Sequence, residues 1–293
     1  MMNSFRLNSK EYLREEPFEE PKRVYFMAVE GNITEMDYFT LINRYSKEIG
    51  INSIIRIEVL HRRIDDTNSA PEQVLKLIEE CIKLRKNKDE IFIQQIIESL
   101  KLDTSKYNED FIRNYINEPS VLDMKVKTDF EHFLENNRYD LAYYSYLRKI
   151  KTLDEQNDKY CIVIDRDYHN HSEEQIKSCI KHCEDKNFRL LLSTPCFEFW
   201  LLLHLQDADM IRRIDDKELF ENRHISKQHT IVSKKVSDIA GHNKSISEQT
   251  FQLYYLKNIN KAIVNSKEFA TDKIQLLNLV GTNIGEFMEE IID

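Results

Sequence analysis

The stretch that most constrains the fold is residues 160–169, which read YCIVIDRDYH. A short apolar run that ends in two carboxylates, Asp165 and Asp167, predicts a buried parallel strand that ends at the edge of a sheet. In α/β proteins that edge is where ligands bind. Side chains two positions apart on a strand point to the same side, so the two aspartates can share a hard cation such as Mg²⁺. The alternative is structural, because acidic residues also end strands where the chain re-enters water.

A second acidic strand end lies far upstream. The apolar run RVYFMAV, residues 23–29, predicts a strand that stops at Glu30 and Gly31, and a helical pattern follows over residues 34–49. Thr34 and Asp37 fit a capping box at the start of this helix. Glu30 therefore has the same place in its strand–loop–helix unit as Asp165 has in the later one. The sequence predicts that both acidic strand ends meet at one edge.

The rest of the pattern indicates an α/β fold with a mainly parallel sheet. Residues 54–60 alternate as a strand does, and residues 70–85 form an amphipathic helix. After the Asp165 strand, a helix over residues 172–185 and a strand over residues 189–192 continue the alternation. Such alternation is typical of a Rossmann-like core.

Three regions depart from this alternation. Residues 1–21 are polar and charged, which predicts a flexible arm before a single domain over residues 22–293. Residues 91–150 show only helical spacing and are interpreted as a helical insertion. From about residue 207 the pattern is again helical, with a long helix expected near residues 247–266.

The composition indicates a protein of the reducing cytoplasm. The five cysteines are odd in number and lack the density of a secreted disulfide scaffold, and Cys179 and Cys183, one helical turn apart, favour a buried helix face over a zinc site. No stretch approaches the ~20 apolar residues of a membrane span, and no signal peptide is recognisable. The net charge of -9 argues against a protein that coats nucleic acid, but allows an enzyme with a local basic track.

A third motif, STPCFEFWLLLH, occupies residues 193–204. Thr194 and Pro195 predict the start of a helix that packs on the sheet. Glu198 falls in its first turn, where a carboxylate either favours the helix dipole or completes a metal site. Glu35 has the same position in the first predicted helix, and there the dipole is the favoured interpretation.

These three motifs together resemble the RloB-like family of Toprim-fold proteins. The segments that carry the resemblance, in chain order, are EGNITEMDYF (30–39), IDRDYH (164–169) and TPCFEFWLLLH (194–204). The resemblance extends to about residue 85 and resumes at residue 159. In Toprim proteins, which include topoisomerases, primases and the overcoming-lysogenization-defect nucleases, a glutamate after the first strand and a DxD after a later one form a Mg²⁺ site for phosphodiester chemistry.

The resemblance and the residues give an expected site. The expected ligands of Mg²⁺ or Mn²⁺ are Glu30, Asp165, Asp167 and Glu198. Glu30 is also a candidate general base. His169 is a candidate for binding a substrate phosphate or transferring a proton, and Lys234 for neutralising a phosphate, with a solvated loop histidine and a solvated helix face as the alternatives.

The expected function is a Mg²⁺-dependent nuclease that hydrolyses DNA, tRNA or another RNA. RloB-like proteins are commonly encoded beside an ABC/AAA-type ATPase and are associated with phage defence, so the resemblance implies a toxic antiphage effector with an ATPase partner. The chain has no GxxxxGK[ST] loop of its own. The alternatives are a non-catalytic Toprim subunit that binds proteins or senses nucleic acid, and a nucleotidyltransferase. Aromatic residues such as Tyr254 and Tyr255 suggest a homodimer.

Overall fold

The computed structural model describes residues 23–31, 33–60, 70–86, 107–117, 119–136 and 157–292. Within them lies a sheet with the strand order β2-β1-β3-β4-β5. The strands are β1 (Arg23–Val29), β2 (Ile55–Val59), β3 (Lys159–Asp165), β4 (Arg189–Thr194) and β5 (Gly281–Thr282). The first four are parallel, and β5 runs antiparallel to β4. The predicted α/β fold with a mainly parallel sheet is therefore confirmed.

The described residues also form helices. They are α1 (Thr34–Arg44), α2 (Ser46–Ile49), α3 (Pro71–Lys86), α4 (Glu109–Asn117), α5 (Met124–Asn136), α6 (Glu173–Lys186), α7 (Phe197–Leu205), α8 (Ala208–Ile211), α9 (Asp216–Glu221), α10 (Ile231–Ala240), α11 (Glu248–Thr250), α12 (Ile259–Ser266) and α13 (Ile284–Ile291). A π-helical segment, Phe251–Tyr255, and a 3-10 turn, Leu256–Asn258, separate α11 from α12 where the sequence predicts one long helix. None of the helices that the structure describes is long and apolar enough to cross a membrane.

The core lies on both faces of the sheet, which explains why its strands are continuously apolar. On β3, the side chains of Cys161 and Val163 and those of the alternating Ile162 and Ile164 are all buried. Helix α7 is apolar nearly all round, and it packs against β4, α10 and α12. Tyr255 is fully buried in the chain's own core, so its ring is not available to a homodimer interface.

The two predicted helix caps next to the site are wrong in detail. Helix α7 begins at Phe197 after a cis Thr194–Pro195 bond, and the Thr194 hydroxyl donates instead to the carbonyl oxygen of Leu276 at 2.5 Å. The Thr34 hydroxyl donates to the Lys244 carbonyl at 2.8 Å, and the Asp37 carboxylate accepts the Ile246 N–H at 2.9 Å. These polar side chains therefore hold distant loops, a role that local sequence spacing does not reveal.

A second compact unit contains the described helices of the predicted insertion. Here α4 and α5 enclose an aromatic cluster in which the Phe130 ring lies 4.7 Å from Tyr107, 5.1 Å from Phe111 and 4.9 Å from Tyr115, measured between ring centroids. The remaining part of residues 91–150 and the predicted arm, residues 1–21, lie outside the described residues.

A buried histidine links α7 to α1 inside the main core. The Nδ1 atom of His204 lies 2.9 Å from the Trp200 carbonyl oxygen, and its Nε2 lies 3.1 Å from the Tyr38 hydroxyl. Since a carbonyl only accepts, Nδ1 carries the proton and Nε2 accepts from Tyr38. Burial lowers the pKa of His204 from 6.5 to about 3, so the ring is neutral in the folded protein.

We expect His204 to make the folded state less stable in mild acid. The unfolded histidine gains a proton near pH 6.5 and the folded one only near pH 3, so its contribution falls as the pH drops between these values. Between pH 7 and pH 5 this amounts to about 2 kcal/mol. In urea unfolding at the two pH values, His204→Gln should lose about that much less stability than the wild type. His224→Gln, at an exposed position, is the control. If all three proteins lose the same unfolding free energy between pH 7 and pH 5, His204 is not the group responsible for the acid sensitivity.

Candidate functional site

Glu30 and Asp165 meet because β1 and β3 are neighbouring parallel strands in register. Val29 pairs with Val163, so both strands end at the same edge of the sheet. The Glu30 N–H donates to the Val163 carbonyl at 3.0 Å, and the Asp165 N–H donates to Oε2 of Glu30 at 2.9 Å. The two acidic strand ends are thus in direct contact.

Glu35 joins this pair from the first turn of α1. Its side chain is only 7% exposed, and its Oε1 accepts the Gly31 N–H at 3.1 Å. A Cβ atom at position 31 would lie 2.1 Å from Oε2 of Glu35, so a residue larger than glycine would displace this carboxylate. Glu35 therefore lies in the first turn of α1, as the sequence predicts, and is also a buried member of the site.

Together these carboxylates form an acidic cluster. Its members are Glu30, Glu35, Asp165, Asp167 and Glu198. Burial, and then the negative charges of the other four, raise the pKa of Asp165 well above its ordinary value. Burial, followed by the charges of Glu198 and Glu30, raises the pKa of Glu35 to about 7. Among the described residues no Lys or Arg forms an ion pair with any member, and the basic side chain that pairs with the cluster there is His171, at Glu30.

A histidine and an arginine hold the cluster in place. The Nε2 atom of His171 lies 3.1 Å from Oε1 of Glu30, and this hydrogen bond raises the pKa of His171. Arg166, between the two aspartates in the sequence, is only 4% exposed and donates to the carbonyl oxygens of His171 at 2.7 Å and Leu277 at 2.9 Å. Arg166 therefore fixes the loop that carries His171.

Asp167 starts a tight turn after β3. Its φ of 29° is in the left-handed region, which aspartate tolerates better than most residues. Its N–H donates to the Pro195 carbonyl at 3.0 Å, and its carboxylate accepts from the Asn170 side chain at 2.6 Å and from the His169 N–H at 3.3 Å. These bonds connect the DxD turn to the start of α7.

The structure places two predicted site residues apart from the carboxylates. His169 is exposed, and its ring lies 5.4 Å from that of Tyr168. The Lys234 ammonium pairs with Asp238, one turn further along α10. In the described part of the chain, neither side chain forms a hydrogen bond or ion pair with the acidic cluster.

The chemistry of the acidic cluster fits a hard divalent cation. Carboxylate oxygens are the ligands that Mg²⁺ and Mn²⁺ prefer, and a cation would offset both the burial and the repulsion that raise the pKa of Asp165. Across the described ranges, however, no three His, Cys, Asp or Glu side chains are already arranged as a metal shell. In particular, both carboxylate oxygens of Glu30 accept hydrogen bonds, from Asp165 and His171.

Sequence patterns place Glu35 at a helix start but do not assign Glu35, His171 or Arg166 to the site. One signal was available for Arg166: on a strand that alternates, a charged residue between two outward aspartates points to the opposite, buried side and needs partners there. His171 lies beyond the strand end, where no period applies. Its contact with Glu30 depends on the pairing of β1 with β3.

Comparison with known protein families identifies a relative of this chain. The family model described as RloB-like protein matches residues 25–291, which include all three motifs and the whole acidic cluster. No curated protein and no solved structure matches the chain.

Proposed function

The chain belongs to the RloB-like protein family, and we propose that it is a metal-dependent nuclease whose chemistry takes place at the acidic cluster. One observation carries this proposal: carboxylates from β1, α1, β3 and α7 converge at one sheet edge without a Lys or Arg counter-ion in the described chain. Such a site repels a phosphate unless a cation lies between them. A divalent ion bound there supplies charge stabilisation at the phosphate and a more acidic water.

The residues divide into ligands and supporting groups. Glu30, Asp165, Asp167 and Glu198 would hold Mg²⁺ or Mn²⁺. Glu35, with a pKa of about 7, is able to accept or release a proton at its carboxylate oxygen near neutral pH. Glu30 remains a second candidate for that role. His171 orients Glu30 through its hydrogen bond, and Arg166 holds His171.

A Toprim-type core is the finer description of the fold that we propose. A glutamate directly follows β1 and a DxD ends β3, which are the positions that the resemblance assigns to the Toprim metal site. The strands β1 and β3 are also neighbours in the sheet, as a shared site requires.

Family membership also supports a place in antiphage defence. We propose a toxic cytoplasmic effector that an ABC/AAA-type ATPase controls, since the sequence has no GxxxxGK[ST] loop with which to bind ATP itself. Inactivity of the purified chain until the ATPase is added would agree with such control. A homodimer remains part of the proposal, through surfaces other than the buried Tyr255.

Incubation with plasmid DNA, single-stranded DNA and total tRNA tests the proposal. We expect cleavage of at least one substrate in Mg²⁺ or Mn²⁺ and none in EDTA, with the ATPase and ATP added in a parallel series. Products with new ends identify a nuclease, whereas extended or nucleotide-labelled products would identify a nucleotidyltransferase. No change in any substrate in either series would favour the non-catalytic subunit and refute the proposal.

A further inference from the structure

An exposed aromatic side chain stands directly beside the acidic cluster. Tyr168 follows Asp167, and half of its surface, 50%, is exposed. The guanidinium carbon of Arg166 lies 5.8 Å from the centroid of its ring, and the ring of Phe220 lies 5.2 Å away. Since Arg166 is itself buried and bonded to two carbonyl groups, the Tyr168 ring rests on a fixed support.

His169 extends this aromatic surface. Its ring centroid lies 5.4 Å from that of Tyr168, and its side chain is exposed. The Asp167 carboxylate accepts the His169 N–H, and the Asn170 N–H donates to the Asp167 carbonyl at 3.0 Å, so the turn that carries both rings is internally bonded. We call Tyr168 and His169 the stacking pair.

The contact between Tyr168 and Phe220 brings a basic segment to the stacking pair. Phe220 is in α9, and the chain then forms a turn in which Ile225 N–H donates to the His229 carbonyl at 2.9 Å and His224 bridges to Thr230. We call residues 223–230 the basic hairpin.

The charge of this segment is unusual for the chain. Residues 222–237 contain Arg223, Lys227, Lys234 and Lys235 and no Asp or Glu, although the whole chain has a net charge of -9. Arg223 pairs with Glu221 and Lys234 with Asp238, the acids that flank this segment. Lys227 is exposed, and no carboxylate in the described part of the chain pairs with it, so this lysine offers a phosphate a free positive charge in the hairpin that follows Phe220.

We infer that the stacking pair and the basic hairpin bind single-stranded nucleic acid, with an unpaired base stacked on Tyr168 and the backbone on the basic hairpin. Aromatic rings that accept base faces, combined with a positive track for phosphates, are what binding of single strands requires. Because Tyr168 is adjacent to Asp167, a base held there leaves a neighbouring phosphate next to the acidic cluster. The inference rests on the proposed function and specifies its substrate class.

An unpaired strand fits this surface better than a duplex. Within a duplex the base faces are stacked on one another, so a protein ring cannot reach them unless a base is unstacked. A protein that reads only duplex phosphates needs no exposed ring. The acidic cluster also repels a uniformly charged double helix, whereas a single strand can place its phosphates selectively along the basic hairpin.

Fluorescence anisotropy tests this inference on the complete chain, both in EDTA, which prevents metal-dependent turnover, and in Ca²⁺, a hard cation that takes carboxylate ligands and would neutralise the acidic cluster. The probes are labelled single-stranded RNA, single-stranded DNA and the corresponding duplexes. We expect tighter binding of a single strand than of its duplex, and the RNA and DNA probes then show which backbone is preferred. Tyr168→Ala should weaken single-strand binding by roughly five- to a hundred-fold, the loss of one stacked base, and Tyr168→Trp should retain it.

Two further variants separate stacking from charge and from general surface effects. Lys227→Ala should reduce the slope of log affinity against log salt by about one, as loss of one phosphate contact does. Met210→Ala removes an equally exposed apolar side chain (50%) and should change nothing. The inference would be overturned if Tyr168→Ala binds single strands as tightly as the wild type does, or if the protein prefers the duplex. Failure to bind any strand would also overturn it and would leave this surface to a protein partner.

The outcome is independent of whether the chain cleaves. Weaker single-strand binding by Tyr168→Ala together with no cleavage under any condition would support this surface and refute the nuclease. Metal-dependent cleavage by the wild type together with unchanged binding by Tyr168→Ala would support the nuclease and refute the binding surface.

Discussion

Asp165→Asn is expected to abolish metal-dependent cleavage while making the metal-free protein more stable. Loss of a carboxylate ligand should reduce the cleavage rate by about a hundred-fold or more. The folded state raises the pKa of Asp165, chiefly by burial and by the charges of its neighbours, so the ionised group costs stability at any pH above its unfolded value. Asparagine removes that cost. In EDTA at pH 8 we expect a gain of about 1 kcal/mol, or roughly 2–4 °C in the melting temperature.

The opposite signs of these effects distinguish a functional carboxylate from a structural one. Asp185→Asn is the matched control, because Asp185 is exposed at the end of α6 and should alter neither activity nor melting temperature. An Asp165→Asn protein that cleaves as the wild type does would show that Asp165 does not serve metal-dependent chemistry, and one that melts at a lower temperature in EDTA would show that Asp165 stabilises the metal-free fold.

Arg166→Met is expected to be the most destabilising change at the site. Methionine fills much of the space but leaves the carbonyl oxygens of His171 and Leu277 without their donor in a buried region. Each of the two unsatisfied acceptors costs about 1–3 kcal/mol, so the free energy of unfolding should fall by about 2–6 kcal/mol. Urea unfolding measures the loss.

Two comparisons make this result specific. Arg213→Met, at an exposed position between α8 and α9, should change the free energy of unfolding by less than about 0.5 kcal/mol. Arg166→Lys retains the charge but not the two-pronged geometry of the guanidinium group. Its free energy of unfolding should therefore lie between those of Arg166→Met and the wild type. If Arg166→Met unfolds at the same urea concentration as the wild type, the loop does not depend on these hydrogen bonds.

The acidic strand ends were predictable because they depend on local patterns. An apolar run that stops at an acid marks a buried strand and its end, and parallel strands present their carboxyl ends at one edge. This logic predicts that Glu30 and Asp165 lie together, as the structure shows, and it gives β1 with its bounds. The strand β3 ends at Asp165, so Asp167 lies in the left-handed turn beyond it and not on the strand as the spacing predicts.

The features that escaped prediction depend on contacts between distant parts of the chain. The Glu35 carboxylate lies where a Cβ atom at position 31 would be, and the charge of Glu198 acts on it, and no periodic pattern reports either. Thr34 has the spacing of a helix cap, yet its hydroxyl is used to hold Lys244. Strand β5 has only two residues, which is too short for an alternating pattern.

Mn²⁺ binding measured by electron paramagnetic resonance tests the central claim most directly, because it needs no knowledge of the substrate. The account predicts that the wild type binds Mn²⁺ in competition with Mg²⁺, and that Glu30→Gln and Asp165→Asn each weaken binding by about ten-fold or more, whereas Asp185→Asn does not. Wild-type protein that binds no Mn²⁺, or binding that both substitutions leave unchanged, would show that the acidic cluster is not a metal site.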